Sequence, residues 1–231
     1  MFKQRPGLQA ILRDPTKGDW VRDPGKRRSS RSTTGYLSSI RLEGGFHVFE
    51  SRLERDCQML LDVDHNVRFS AQPETFRWRE GGRSHRWTPD LKIEDLRNGS
   101  LVVFVEIKPS AVLARSPDLK GRLQSMVNRC AERGSGFALL TEREIRGEAL
   151  ATARRIRSAA GRCDEVTTAM LLNTLAPVQM PQPLSVLEAL FSLPADRFAL
   201  LGLLGRGLLR FDPAHGLGPG TLIHEGPHQW R

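Results

Sequence analysis

Residues 88–108 read TPDLKIEDLRNGSLVVFVEIK, and the fold follows from them. A strand from about Arg86 to Glu94 is followed by Arg97-Asn98-Gly99 and then by the apolar run Leu101-Val102-Val103-Phe104-Val105. Asn-Gly between two such runs is the strongest short-range hairpin signal, because a type I′ turn needs two residues that tolerate positive φ. A turn centred on Asn98 sets Asp90 opposite Glu106, and one centred on Asn98-Gly99 shifts the register by one. In the first register the two side chains stand roughly 5 Å apart at Cβ.

Strand side chains have period two, so Glu106 and Lys108 share a face while Val105 and Ile107 point to the other and enter a core. Two opposed carboxylates repel and cost stability unless a cation lies between them. Mg²⁺ or Mn²⁺ turns the repulsion into chelation, since hard divalent ions take oxygen ligands, often one or two carboxylates with phosphate and water. Lys108 is then close enough to hold or polarise a water for attack on phosphorus. Without a metal, the same residues make a cross-strand salt-bridge set on a hairpin.

On the N-terminal side, Glu50 to Val63 carries Leu53, Cys57, Leu60 and Leu61 at helical spacing, with Ser51 and Glu54 as a capping box. Glu54 is the acid this helix offers to complete or orient the metal shell; Glu50 lies one turn earlier on the same face. Asn66 to Arg79 alternates like strand pieces, kinked at Gln72-Pro73, with Gln72 either supporting the site or only shaping the chain. Trp78 and Trp87 flank a Gly81-Gly82 turn and read as cross-strand packing.

Beyond the hairpin, Leu119–Glu132 reads as a helix, Phe137–Leu140 as a short buried strand, and residues 142 to about 162 as another helix. Arg115, Lys120, Arg122 and Arg129 line this side as phosphate contacts or as a solvated basic face. The order predicts an α/β core. A composition change at Gln179-Met180-Pro181-Gln182-Pro183 reads as a linker. Helices at residues 185–193 and 196–205, a strand at 208–211 and a closing strand at 221–223 have the layout of a winged helix.

The chain has 231 residues with 35 Lys plus Arg against 26 Asp plus Glu, a formal charge of +9. Such a balance excludes an acidic disordered tail, and 39% hydrophobic residues suit a folded domain. Residues 1–48 hold 10 basic and 4 acidic residues, whereas 160–231 hold 5 and 6. The excess therefore sits in an N-terminal arm, whose run Lys26-Arg27-Arg28-Ser29-Ser30-Arg31 suits phosphate contact through counterion release. No stretch approaches the roughly 20 apolar residues that span a bilayer, and no apolar h-region marks a secretory signal. The expectation is a cytoplasmic protein with no membrane partner, its three cysteines reduced and no zinc site.

The ordered set Phe49-Glu50-Ser51-Arg52-Leu53-Glu54-Arg55-Asp56, Gln72-Pro73, Trp87-Thr88-Pro89-Asp90-Leu91 and Val105-Glu106-Ile107-Lys108-Pro109 resembles the PD-(D/E)xK restriction-endonuclease superfamily. Within it the chain is most similar to the TnsA family, the endonuclease subunit of heteromeric bacterial transposases, over about residues 46–145. The resemblance implies a restriction-endonuclease-like core, a mixed sheet flanked by helices, followed by a small winged-helix-like domain. It implies that Glu54, Asp90 and Glu106 are catalytic acids, and that these with the Ile107 backbone carbonyl bind Mg²⁺, for which Mn²⁺ substitutes. Lys108 becomes the base or water-positioning residue.

The implied partners are double-stranded DNA at transposon ends, an integrase-like transposase subunit and an ATPase regulator, with the protein on the nucleoid when active. The implied activity is nicking of the transposon 5′ ends. The expected organisation is a basic, flexible arm over 1–45, an endonuclease core over 46–165 and a winged-helix-like domain over 166–231. Two alternatives stand: another PD-(D/E)xK nuclease in repair or defence, and a non-catalytic DNA-binding module. The near-neutral C-terminal segment suggests a protein partner for that domain.

Overall fold

The computed structural model describes residues 33–41, 45–96, 101–116, 118–213 and 216–227. Within these limits the chain forms two compact units. One comprises residues 33–39, 45–61 and 66–145, the other residues 40–41, 62–65 and 146 onward.

The first unit opens with a hairpin, β1 (Gly35–Ser38) and β2 (Phe46–Phe49), in which Gly35 lies opposite Phe49. Residues 35–38, read from sequence as part of a flexible arm, are therefore paired backbone. Their apolar side chains explain it: Leu37 is buried, and Tyr36 meets Phe46 edge-on at 4.9 Å. Gly35 is needed here, since a Cβ would come within 2.7 Å of the Phe49 ring. The basic run holding Lys26, Arg27, Arg28 and Arg31 lies outside the described residues.

Helix α1 (Arg52–Val63) follows, then β3 (Val67–Ala71), the ribbon β4 (Phe76–Glu80) and β5 (Arg83–Trp87), β6 (Leu91–Asp95) and β7 (Leu101–Ile107). After β7 come α2 (Ser110–Arg115), α3 (Asp118–Ala131), β8 (Gly136–Leu140) and α4 (Glu142–Ile145). The main sheet has order β3-β6-β7-β8 and is mixed: β3, β6 and β7 are antiparallel, while β8 runs parallel to β7 after the helical crossover. This is an α/β unit with a mixed four-stranded sheet and helices packed on it. Parallel neighbours need such a crossover, and α3 supplies it.

Both faces of the sheet are covered. Leu91, Val105 and Ile107 pack with Leu53 and Cys57 of α1 and with Phe46 and Val48 of β2. Phe104, from the opposite face of β7, packs with Phe76 and Trp87 of the ribbon and with Met126 and Cys130 of α3. The four residues Phe104 to Ile107 are all buried.

The second unit contains α5 (Glu148–Ala160), α6 (Glu165–Leu175), β9 (Gln182–Pro183), α7 (Leu184–Ala189), α8 (Pro194–Gly205), β10 (Leu209–Arg210) and β11 (Leu222–Glu225). Its sheet order is β10-β11-β9. Asp164 caps α6 by accepting from Thr167 N at 2.7 Å.

The single helix expected over 142–162 is two helices, α4 and α5, separated at Arg146-Gly147. The division between units falls there, whereas the sequence placed it at 165/166. Helix α8 accounts for the difference by packing on α5 through two glycines. A Cβ on Gly202 would come within 3.1 Å of the Ala159 carbonyl oxygen, and one on Gly205 within 2.7 Å of Ala160 Cβ. Beside α5, Asp62 is fully buried, accepts from Ile40 N at 3.0 Å and pairs with Arg157 of that helix. Burial lowers the Arg157 pKa to about 10.

Candidate active site

The register of the central hairpin places two carboxylates together. Leu91 pairs with Val105 and Lys92 with Phe104, so the next positions outward are Asp90 and Glu106. The Asn98-Gly99 turn lies outside the described residues, but the strands it joins keep the register of a turn centred on Asn98. Thr88-Pro89 interrupts the chain between β5 and β6, so Asp90 sits in a bend at the mouth of β6. Its Oδ2 accepts from Ile107 N at 2.7 Å, a bond that fixes the carboxylate against the end of β7.

Lys108 closes the cluster. Its Nζ lies 2.6 Å from Glu106 Oε1 and 3.4 Å from Asp90 Oδ2, and donates to the Ile107 carbonyl oxygen at 3.1 Å. Lys108 N donates to Leu140 O at 3.0 Å, which ties this backbone to β8. On the next residues, the Ser110 hydroxyl donates to Glu142 Oε1 and Ser110 N to Glu142 Oε2 at 2.9 Å, and the hydroxyl bond first, then the backbone bond, holds the Glu142 carboxyl down at about 2. Oxygens of Asp90, Glu106 and Ile107 thus converge on one positive charge.

Burial and charge balance set the electrostatics. Asp90 is 5% exposed and Glu106 7%. Loss of hydration raises the Asp90 pKa to about 7, and the Glu106 charge adds to the rise; Lys108 and the Ile107 N–H oppose it without cancelling it. Burial tends to lower the Lys108 pKa, yet Asp90 and Glu106 outweigh this and the net shift is upward. One ammonium is too little for the acids gathered here.

Glu54 is also buried, and its carboxylate is engaged by its own helix start. Oε2 accepts from Glu50 N and Oε1 from the Ser51 hydroxyl, each at 2.9 Å, while Ser51 Oγ accepts from Glu54 N at 3.1 Å. That is the capping box, closed one residue further back than usual, on Glu50 N instead of Ser51 N. Burial raises the Glu54 pKa; the Glu50 charge adds to this and that of Lys108 opposes it. Asp90 in turn feels Glu54, and both acids with burial push the Cys57 thiol up to about 12.

Gln72 is buried, with a positive φ of 44°, alone in this among the described non-glycine residues. Its backbone N donates to Asp90 O at 3.0 Å, so the strained turn before Pro73 holds the Asp90 backbone.

The sequence marks Trp87 as a packing residue but not as a partner of Glu106. Its Nε1 donates to Glu106 Oε2 at 2.7 Å, inside the protein. Trp78 and Trp87 do pack across the ribbon, as expected: Phe76 lies opposite Trp87 and His85 opposite Trp78, at ring distances of 5.0 and 5.3 Å. The available signal was positional, for Trp87 stands three residues before Asp90 at the inner end of a strand. Of the basic residues noted beyond the hairpin, Arg129 pairs with Glu132 at 2.8 Å, and Arg115 and Arg122 are exposed.

Among the described residues no three His, Cys, Asp or Glu side chains stand as a metal-holding group. The hydrogen bonds account for this, since Glu54 is turned to its cap and Glu106 is shared between Lys108 and Trp87. The donor set nonetheless fits a hard divalent cation: carboxylate and carbonyl oxygens already share one cation, with acid charge left over. No protein-family model matches the chain, and no curated protein matches it.

Proposed function

We propose that this protein is a metal-dependent DNA endonuclease of the PD-(D/E)xK type, acting as the TnsA-like nicking subunit of a transposase. The observation that carries the proposal is the convergence of Asp90, Glu106 and the Ile107 carbonyl on the Lys108 ammonium at the end of the hairpin. Phosphodiester hydrolysis needs a site that gathers cationic charge on phosphate and orients a water. Asp90, Glu106, the Ile107 carbonyl and Glu54 would hold Mg²⁺, or Mn²⁺ in its place. A divalent ion bound there supplies Lewis acidity, making a water more acidic and neutralising charge on the transferred phosphoryl group.

The chain's own groups have distinct tasks. Asp90 and Glu106 provide the negative charge, and Trp87 fixes the Glu106 carboxylate so that it cannot swing away. Lys108, held as an ammonium ion, donates hydrogen bonds and orients water or a phosphate oxygen. Gln72 positions the Asp90 backbone. Glu54 becomes available once its carboxylate exchanges the helix cap for the site.

The order α6–β9–α7–α8–β10–β11, with β11 between β10 and β9, supports a winged-helix-like second domain. Residues 200–205 of α8 are buried, and the segment is near neutral in charge. The near-neutral charge favours a protein partner for this domain, in keeping with an integrase-like subunit and an ATPase regulator.

The test is cleavage of DNA bearing transposon ends, in Mg²⁺, with and without the transposase partner. Strand breaks should disappear in Asp90→Asn and Lys108→Ala. Breaks that persist unchanged in both variants contradict the assignment. The engaged Glu54 carboxylate favours one alternative, a non-catalytic DNA-binding module, which gives DNA affinity with no divalent-metal requirement and no effect of Glu106→Gln.

A further inference from the structure

The β4–β5 ribbon has two chemically different faces. One carries Phe76, Trp78 and Glu80 opposite Trp87, His85 and Arg83. This face is held by the protein: Phe76 and Trp87 are core residues, and Glu80 Oε2 accepts from Trp78 Nε1 at 3.1 Å and from the Ser125 hydroxyl of α3 at 3.0 Å. The other face carries Arg77 opposite Arg86 and Arg79 opposite Ser84, all four exposed. None of these three guanidinium groups makes an ion pair or hydrogen bond among the described residues.

Like charges set directly opposite across two strands are destabilising, and no acid on this face relieves them. We propose that this arginine face is a binding site for the phosphate backbone of duplex DNA. Arginine forks match phosphate oxygens in pairs. The outward rows 77/86 and 79/84 lie about 7 Å apart along the ribbon, and a two-stranded ribbon is the size that the major groove of B-DNA, roughly 12 Å wide, admits. The face bears no aromatic or aliphatic anchor of the kind a protein interface needs. The deep, narrow major groove of duplex RNA would exclude it.

Arg86 and Asp90 are four positions apart in the chain, a reach of at most about 14 Å. DNA held on the ribbon would therefore lie beside the acids. The proposed nuclease activity explains why DNA should be there, but the binding needs no cleavage.

Fluorescence anisotropy in chelator, with a labelled duplex of about 30 base pairs and varied salt, tests the site through its counterion-release slope. The wild-type chain should bind. Arg77→Ala/Arg79→Ala/Arg86→Ala should lose about tenfold or more in affinity at ~150 mM salt, and its slope should fall by about 2 to 3. Arg143→Ala/Arg155→Ala/Arg162→Ala removes the same charge from exposed positions elsewhere and should change affinity far less. The ribbon variant should melt no lower than wild type, because the opposed charges are gone. Equal binding by ribbon variant and wild type, equal losses in both triple variants, no duplex binding by wild type, or stronger competition by duplex RNA would each overturn the proposal. Since the assay excludes metal, it stands or falls independently of cleavage.

Discussion

The indole of Trp87 and the carboxylate of Glu106 are joined inside the protein, Nε1 donating to Oε2 at 2.7 Å. One partner ends the ribbon and the other lies near the end of the central hairpin, so two local structures share one bond. Trp87→Phe keeps the ring in its core but leaves a buried carboxylate oxygen without its donor. Stability should fall by about 1.5 to 3 kcal/mol, the range for a hydrogen bond to a charged group. Urea denaturation measures this, and an unchanged midpoint would show that the bond carries no weight.

A second prediction concerns pH. The Asp90 pKa is raised from 3.8 to about 7, mainly by burial. The folded state thus holds a proton that the unfolded chain releases, and the contribution to stability is lost as pH rises from about 4 through about 7. Between about pH 5 and pH 8, in chelator, stability should fall by on the order of 2 to 3 kcal/mol. Glu54 acts in the same direction. Glu142, lowered to about 2, contributes the opposite slope only at lower pH. Asp90→Asn should flatten the window; a wild-type profile that rises across it would contradict the electrostatics described.

The Asp62–Arg157 pair gives a third. Asp62 is fully buried and Arg157 is depressed in pKa by burial. Removing one partner leaves an uncompensated charge, so Asp62→Ala should cost about 3 to 5 kcal/mol. Replacing both by apolar residues of similar volume should cost much less. If the double variant is as unstable as the single one, charge compensation is not what the pair supplies.

Two glycines in helices should respond with opposite signs. At Gly121 in α3 a Cβ meets nothing within 4 Å, so Gly121→Ala should stabilise by about 0.5 to 1 kcal/mol through helix propensity. At Gly205 the same change drives a Cβ to 2.7 Å from Ala160 Cβ, and α8 must move off α5. Thermal unfolding of both variants compares them directly; stabilisation at Gly205 would mean that the close approach is not required.

Much of the first unit was legible because its determinants are local. Asn98-Gly99 and the run Leu101–Val105 set the hairpin register, and Ser51 with Glu54 marked the start of α1. What escaped is non-local. The Trp87–Glu106 bond depends on how the ribbon folds over β7, and the α5–α8 packing joins small residues some forty-five positions apart. The composition change at Gln179 is a stronger local signal than Arg146-Gly147, where the helix breaks. The strand at Gly35–Ser38 was hidden by the basic run before it, although Leu37 and Phe46 already offered an apolar pair.

Calorimetric titration of the chain with Mn²⁺ at about pH 8 tests the central claim most directly, because binding reports on the acids without requiring DNA or a partner subunit. Wild type should bind one ion with heat that Asp90→Asn and Glu106→Gln each abolish, both variants remaining folded by circular dichroism. Equal binding by wild type and both variants, or none by wild type, would contradict a divalent-metal site at Asp90 and Glu106.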